Sequence, residues 1–139
     1  MVRNIISIGI DIVEIKSIQL LLKKNFVRFI DTIFTKKELT QMKLSSKIQS
    51  PGNYNASDVR QISKYFAAKE ATLKALRVNN SVPFEFSDLE LLGGENFKIR
   101  PKRILFNTLK NMQGKEIIGS MISSSNHSIA VAMIYGDSK

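Results

Sequence analysis

Two carboxylates and one ammonium in this sequence have the types and settings that metal and phosphate chemistry require. Asp11 lies within "SIGIDIVEI", residues 7–15. From Ile5 to Ile15 the chain is mostly isoleucine with one valine, which predicts a buried strand. An unpaired charge buried there costs on the order of several kcal/mol. Asp11 therefore needs a partner or a structural duty. One duty is a helix cap: with Glu14 three residues on, it matches a capping box whose first helical residue is Ile12. The other is metal ligation at a strand end, and the two are compatible. Glu70 and Lys74 belong to "YFAAKEATLKAL", residues 65–76. On a helix Glu70 falls about 60° to 80° from the centre of the apolar stripe, with Lys74 one turn later and the small Ala67 and Ala71 nearby. They read either as a solvated i, i+4 pair worth a few tenths of a kcal/mol, or as a carboxylate facing Asp11. An Asp on a strand end opposite a Glu on a helix edge is a two-carboxylate seat for Mg²⁺, which keeps waters and takes further oxygens from substrate phosphates.

Composition narrows the chemistry. The 139 residues include no cysteine and one histidine, His127. That removes disulfides, thiolate metal sites and a cysteine nucleophile, and sets aside a histidine triad. Any metal would be held by carboxylates, which favours Mg²⁺ or Ca²⁺ over Zn²⁺. The net charge of +9, from 21 Lys and Arg against 12 Asp and Glu, predicts a polyanionic partner: nucleic acid, a phosphorylated small molecule or an acidic protein. There is no apolar run near the length of a membrane span and no signal-peptide pattern, so cytoplasmic residence is expected.

The elements that must position these residues follow from periodicity. A strand is expected over about 4–12, then helices over about 14–24 and 26–32. Thr35 with Glu38 is a capping-box pattern that starts a helix at about Lys36. Residues 44–58, rich in Ser, Asn, Pro and Gly, read as a surface loop. Ser57 or Asp58 is expected to cap the main helix, about 58–77, whose Ala67, Ala68, Ala71 and Ala75 let a neighbouring backbone come close. Strands are expected at about 86–92 and over "NFKIR". Pro101 is expected to open a helix running to about Met112. Two closing antiparallel strands, "KEIIGSMISSS" and "HSIAVAMIYG", turn near Ser124 to His127, and Ser138-Lys139 is a frayed end. The pattern is α+β in a single domain over residues 1–139: a small antiparallel sheet with a long central helix and shorter helices.

Taken together and in order, "GIDIVEI", "FTKKEL" and "YFAAKEATLKAL" resemble the holo-[acyl-carrier-protein] synthases, the small branch of the 4′-phosphopantetheinyl transferases. The family pattern is a G-x-D-x-x-x-[IL] strand end, an F-[ST]-x-x-E-L helix start and a [RW]-F-A-x-K-E-A-x-x-K-A helix. The resemblance is good over residues 4–43 and 60–76 and looser elsewhere. It implies the phosphopantetheinyl transferase fold and a reaction: a carrier-protein serine attacks the β-phosphate of coenzyme A, and adenosine 3′,5′-bisphosphate leaves. It implies that Asp11 and Glu70 hold Mg²⁺ and that Lys74 contacts the diphosphate. It also implies an acidic acyl carrier protein as partner, met by Lys16, Lys23, Lys24 and Arg28, and a homotrimer with active sites at subunit interfaces. Arg60, Lys64 and Lys69 are further candidates for coenzyme A phosphates.

The sequence departs from the family at three places. The glycine-rich loop after the main helix is replaced by Arg77-Val78-Asn79, where Arg77 is a candidate to supply a guanidinium instead of backbone amides. The usual G-K-P turn is "GGENF". The Ser-His of the closing hairpin aligns with Ser124-Ser125, not with His127. These changes leave a second reading open, a catalytically impaired member that binds coenzyme A or an acidic carrier. A nucleic-acid-binding domain is disfavoured, since it leaves Asp11 and Glu70 unused and no nucleic-acid motif is present.

Overall fold

The computed structural model describes residues 3–48 and 52–137. Five strands form one antiparallel sheet in the order β1-β5-β4-β3-β2. They are β1 Arg3–Glu14, β2 Leu89–Gly93, β3 Asn96–Pro101, β4 Glu116–Ser123 and β5 His127–Asp137. The helices are α1 Ile15–Ile33, α2 Lys36–Gln41, α3 Ala56–Ala75 and α4 Ile104–Asn111. Helix α3 packs across one face of the sheet against β1 and β5, and α1 packs on α3. Ile18, Leu22, Phe26 and Ile30 of α1, one per turn, are buried in the same core as Val59 and Ile62 of α3. The α+β expectation is met.

Strand β1 alternates. Ser7, Gly9 and Val13 are buried, while Ile8, Ile10 and Ile12 are 52%, 54% and 61% exposed. The expected buried strand is therefore buried on one face only, because side chains on a strand point to opposite sides with period two. Gly9 is where the helix comes closest. A Cβ there would lie 1.9 Å from Ala71 O and 2.6 Å from the Ala75 amide nitrogen. Ala67, Ala68, Ala71 and Ala75 are fully buried, so the alanines do permit the close approach that their size suggested.

Several boundaries differ from expectation. Asp11 does not cap a helix: it remains in β1, paired with Ala130, and α1 starts at Ile15 after Glu14, which makes no side-chain cap. The two helices expected over 14–24 and 26–32 are one element bent at Asn25 (φ −160°, ψ 85°). The Asn25 side chain accepts from the Arg28 amide at 3.1 Å and so caps the second segment. The Thr35–Glu38 capping box of α2 forms as expected. Helix α3 is capped by Asn55, two or three residues earlier than expected. Asp58 serves instead as the reciprocal partner, accepting from the Asn55 amide at 3.0 Å. Phe86–Asp88 form a single 3-10 turn before β2. Pro101 ends β3 rather than opening α4, a position where its missing N–H costs no internal ladder bond. The middle of the expected 44–58 loop and the expected frayed end at Ser138-Lys139 lie outside the described residues.

The two edges of the sheet are treated differently. At the β2 edge, side chains of α2 take the place of a sixth strand. Glu38 Oε2 accepts from the Leu91 amide at 3.0 Å, Gln41 Nε2 donates to Leu91 O at 3.1 Å, and the Gly93 amide donates to Gln41 Oε1 at 3.3 Å. At the β1 edge stands the candidate site.

Candidate functional site

Asp11 occupies the β1 face that looks toward α3, two residues beyond the glycine that lets the helix approach. The Lys74 ammonium donates to Asp11 Oδ1 at 2.8 Å and to the Ile10 carbonyl oxygen at 3.1 Å. Lys74 thus reaches across to the strand rather than back to Glu70 on its own helix. The Asp11 side chain is only 14% exposed against 55% for Lys74, so the aspartate is held in a partly desolvated place by a cation that solvent can reach. Glu70, one turn before Lys74, lies close enough to feel both. Burial pushes its carboxyl above the usual carboxylate range, the Asp11 charge pushes it further, and the Lys74 ammonium draws it back.

A Glu70 carboxyl whose ionisation is made costlier by a neighbouring aspartate is an incomplete arrangement that one added cation would complete. Among the described residues no third His, Cys, Asp or Glu joins them. The donor set suits Mg²⁺, which takes one or two carboxylates and fills the rest of its octahedron with water and phosphate oxygens. Asp11 and Glu70 would hold such an ion.

The remaining candidates scatter. Lys69 is corrected: its side chain is fully buried and its ammonium donates to Ile33 O at 2.6 Å, Glu38 Oε1 at 2.7 Å and Phe86 O at 3.1 Å. All three donors are used, so Lys69 has none for a coenzyme A phosphate. Lys64 is paired with Glu95 at 3.8 Å, and Arg60 is exposed on α3. Arg77 follows α3 in the left-handed region, φ 56°. Glycine adopts that conformation freely and arginine does so at a cost of about 1 kcal/mol. Ser124 is at the β4–β5 turn, where its hydroxyl accepts from the amides of Asn126 and His127. Ser125 lines a cleft with Lys16, Gln19 and His127 at the start of α1. Lys23, Lys24 and Arg28 are exposed on α1. Lys24 and Arg28 rim a shallow groove with Leu21 and Phe29 in its wall.

Sequence reasoning missed two participants. One is the Ile10 carbonyl, which no side-chain pattern could reveal. The other is the buried Glu38–Lys69 pair, whose lysine directly precedes Glu70 on α3. A signal for it was present: Lys69 is seven residues from both Ile62 and Leu76, two full turns each way along the buried stripe.

Comparison with known proteins gives one answer. A family model described as the 4′-phosphopantetheinyl transferase superfamily matches residues 7–132. A holo-[acyl-carrier-protein] synthase of Caldicellulosiruptor saccharolyticus is 36% identical over 129 residues, covering 93% of this chain and 92% of that one. The same-named protein of Aquifex aeolicus is 31% identical over 134 residues, covering 91% and 96%. Among solved structures, an acyl carrier protein synthase of Plasmodium yoelii with ADP bound superposes with a TM-score of 0.80 at 23% identity, covering 99% of this chain and all of that one. A Helicobacter pylori holo-[acyl-carrier-protein] synthase in complex with coenzyme A superposes with a TM-score of 0.67 at 22% identity, covering 91% and 98%. At those identities the structures speak to the fold.

Proposed function

The chain belongs to the 4′-phosphopantetheinyl transferase superfamily, and from that premise we propose that it acts as a holo-[acyl-carrier-protein] synthase. The observation that carries the reading is the meeting of Asp11 with Lys74, beside a Glu70 whose carboxyl is raised by both burial and Asp11. In the reaction the oxygen of a carrier serine forms a bond to the β-phosphorus of coenzyme A. The bond from that phosphorus to the bridging oxygen breaks, adenosine 3′,5′-bisphosphate departs with the electron pair, and the serine gives up its proton. The nucleophile arrives on the partner, so the absence of cysteine is no obstacle. What the site must supply is position and positive charge. Asp11 and Glu70 would hold Mg²⁺, which when bound would supply charge neutralisation on the phosphate oxygens. Lys74, released from Asp11, turns to the diphosphate and neutralises the leaving group.

The partner surfaces fit this reading. Lys16, Lys23, Lys24 and Arg28 present a basic, exposed face of α1 with an apolar groove between Leu21 and Phe29, suited to an acidic carrier protein. Ile8, Ile10, Ile12, Ile122 and Ile129 leave the outer face of the sheet apolar and exposed. A face of that kind calls for burial against other copies of the chain, which supports a homotrimer with active sites between subunits. Among the described residues no helix is long and apolar enough to cross a membrane, in keeping with a cytoplasmic enzyme.

The test is direct. The protein is incubated with coenzyme A, Mg²⁺ and an apo acyl carrier protein, and the carrier is weighed by mass spectrometry. A phosphopantetheine increment is expected, dependent on Mg²⁺ and lost in Asp11→Ala and Glu70→Ala. Absence of the increment on a panel of carriers sinks the enzyme reading. It favours the second reading, a binding module, to which the replaced loop at Arg77-Val78-Asn79 also points. Lys23→Glu with Lys24→Glu is expected to raise KM for the carrier more than KM for coenzyme A; equal rises would refute the docking role of α1.

A further inference from the structure

The groove on the exposed side of α1 coincides with the bend in that helix. A straight helix presents a convex surface, with side chains radiating from a cylinder. Yet the hollow of about 260 Å³ beside Phe29 is lined by residues of α1 alone: Leu21 and Lys24 before the bend, Arg28, Phe29 and Thr32 after it, and Asn25 between them. One helix encloses such a space only where its axis turns. The turn is at Asn25, whose φ of −160° and ψ of 85° interrupt the helical run. The helix restarts there because Asn25 Oδ1 accepts from the Arg28 amide at 3.1 Å and caps the second segment.

A cap starts a helix but does not set the angle at which that helix leaves the segment before it. The angle needs a contact from outside α1, and Phe26 makes one. Phe26 is buried, and its ring lies flat on that of Tyr54, with centroids 4.9 Å apart and planes 4° from parallel. Tyr54 comes from the segment between α2 and α3 and immediately precedes Asn55, the cap of α3. Its backbone is therefore anchored. The Asn55 amide donates to Asp58 Oδ2 at 3.0 Å, the Asp58 amide donates to Asn55 Oδ1 at 2.9 Å, and Lys47 pairs with the same carboxylate. A path of contacts thus runs from the capped end of α3, through one stacked pair, to the residue beside the bend. Glu70 lies roughly 15 residues and 22 Å further along α3, at about 1.5 Å per residue, so Tyr54 stands well away from the reacting groups.

We propose that Tyr54 is a positioning residue for carrier recognition. Its ring braces Phe26, holds the bend at Asn25 and so keeps open the groove between Lys24 and Arg28 in which an acidic carrier docks. The proposal rests on the transferase reading above, with α1 as the docking helix. Without the brace the segment after Asn25 is free to swing or to run on in line with the first, and the space between Leu21 and Phe29 closes. The groove residues then keep their charge and exposure but lose their mutual placement. Preorganisation of this kind acts on binding rather than on chemistry. A groove open in only a fraction of molecules weakens apparent affinity in proportion to that fraction. The worth of a stacked aromatic pair, up to about tenfold in an equilibrium constant, sets the size of the effect.

Steady-state transfer to an apo acyl carrier protein, with Mg²⁺ and coenzyme A, tests it in Tyr54→Ala and Tyr54→Phe. Tyr54→Ala is expected to raise KM for the carrier about threefold to tenfold. KM for coenzyme A, and kcat at saturating carrier, should stay within about twofold of the parent, because the change acts on docking alone. Tyr54→Phe keeps the ring and is expected to match the parent in all three. An unchanged carrier KM in Tyr54→Ala overturns the proposal. A KM for coenzyme A that rises in step also overturns it, because the segment then supports the fold at large. So does a Tyr54→Phe variant that fails to restore the carrier KM, because the hydroxyl and not the stack is then at work. Asn25→Ala supplies an independent check from the exposed side of α1: it removes the cap and favours a straight helix. It is expected to raise the carrier KM by a similar factor, and Tyr54→Ala added to it should contribute no more than about a further twofold, since both act on one bend. Effects that multiply in full would refute the shared mechanism. A parent that transfers nothing to any carrier sinks the transferase reading and this proposal with it; an active parent whose carrier KM ignores Tyr54→Ala sinks the proposal alone.

Discussion

Glu38→Ala tests how the fold supports its site. Glu38 and Lys69 are both fully buried and 2.7 Å apart. Their bonds tie four segments together: Lys69 to the end of α1 and to Phe86, Glu38 to the Thr35 amide and to Leu91 of β2. Burial pulls the Lys69 ammonium below its ordinary range, and the Glu38 carboxylate pulls it back. Removing one member of such a pair leaves an uncompensated buried charge, at a cost of about 3–5 kcal/mol. A domain of this size has about 5–15 kcal/mol in all, so Glu38→Ala should remove roughly a fifth or more of the stability. Lys69→Met should cost a similar amount. The double variant Glu38→Ala, Lys69→Met leaves no buried charge. It should cost less than the sum of the single changes by about 2 kcal/mol or more. Urea unfolding followed by far-ultraviolet circular dichroism is the assay, since the chain has no tryptophan. A loss below about 1 kcal/mol for Glu38→Ala, or strict additivity in the cycle, would refute the reasoning. Because Lys69 precedes Glu70, the same variants assayed while still folded should bind Mg²⁺ more weakly.

Three further outcomes are expected. Gly9→Ala places a methyl 1.9 Å from Ala71 O; the helix must move, at a cost of about 1–3 kcal/mol, and Mg²⁺-dependent turnover should fall along with the melting temperature. Glu70 has a folded-state pKa raised above the unfolded value, so its contribution is fully present below the unfolded pKa and is lost as pH rises through the folded one. Glu70→Gln should therefore stabilise the metal-free protein at neutral pH and not at pH 4, while abolishing the rise in melting temperature that Mg²⁺ gives the parent; destabilisation at neutral pH would contradict the crowding of carboxylates. Arg77→Gly should relieve the left-handed strain at φ 56° and raise stability by about 1 kcal/mol, while raising KM for coenzyme A if the guanidinium serves it.

The legible parts of the fold were those governed by local rules. The Thr35–Glu38 box, the alanine face of α3 and the closing hairpin all follow from residues within a turn or a strand of one another. The sequence also held Asp11, Glu70 and Lys74 as a set, through the resemblance and through the helical spacing of the last two. What local rules could not fix was which partner each group takes when several are in reach. Asp11 with Glu14 satisfies the capping pattern, yet the strand ladder to Ala130 continues past it, and β pairing overrides the cap. Lys69 reads as one more cation on a basic helix, yet a carboxylate 31 residues away makes it a buried strut. The isoleucines of β1 read as core, yet their even spacing puts them on the face that α3 does not cover.

The charge balance at Asp11 explains why Lys74 stands where it does. A local pair with Glu70 would leave Asp11, 14% exposed, without compensation, which is costly for a carboxylate drawn out of water. The fold resolves this by sending Lys74 across to the strand, which leaves Glu70 with the deficit. Three charged groups then sum to −1. A divalent ion held by Asp11 and Glu70 would reverse the sign of that sum, and Lys74 would then be available to a diphosphate. On the proposed reading Lys74 would leave Asp11 for a phosphate only where a bound cation takes over the compensation of Asp11 that the lysine now supplies.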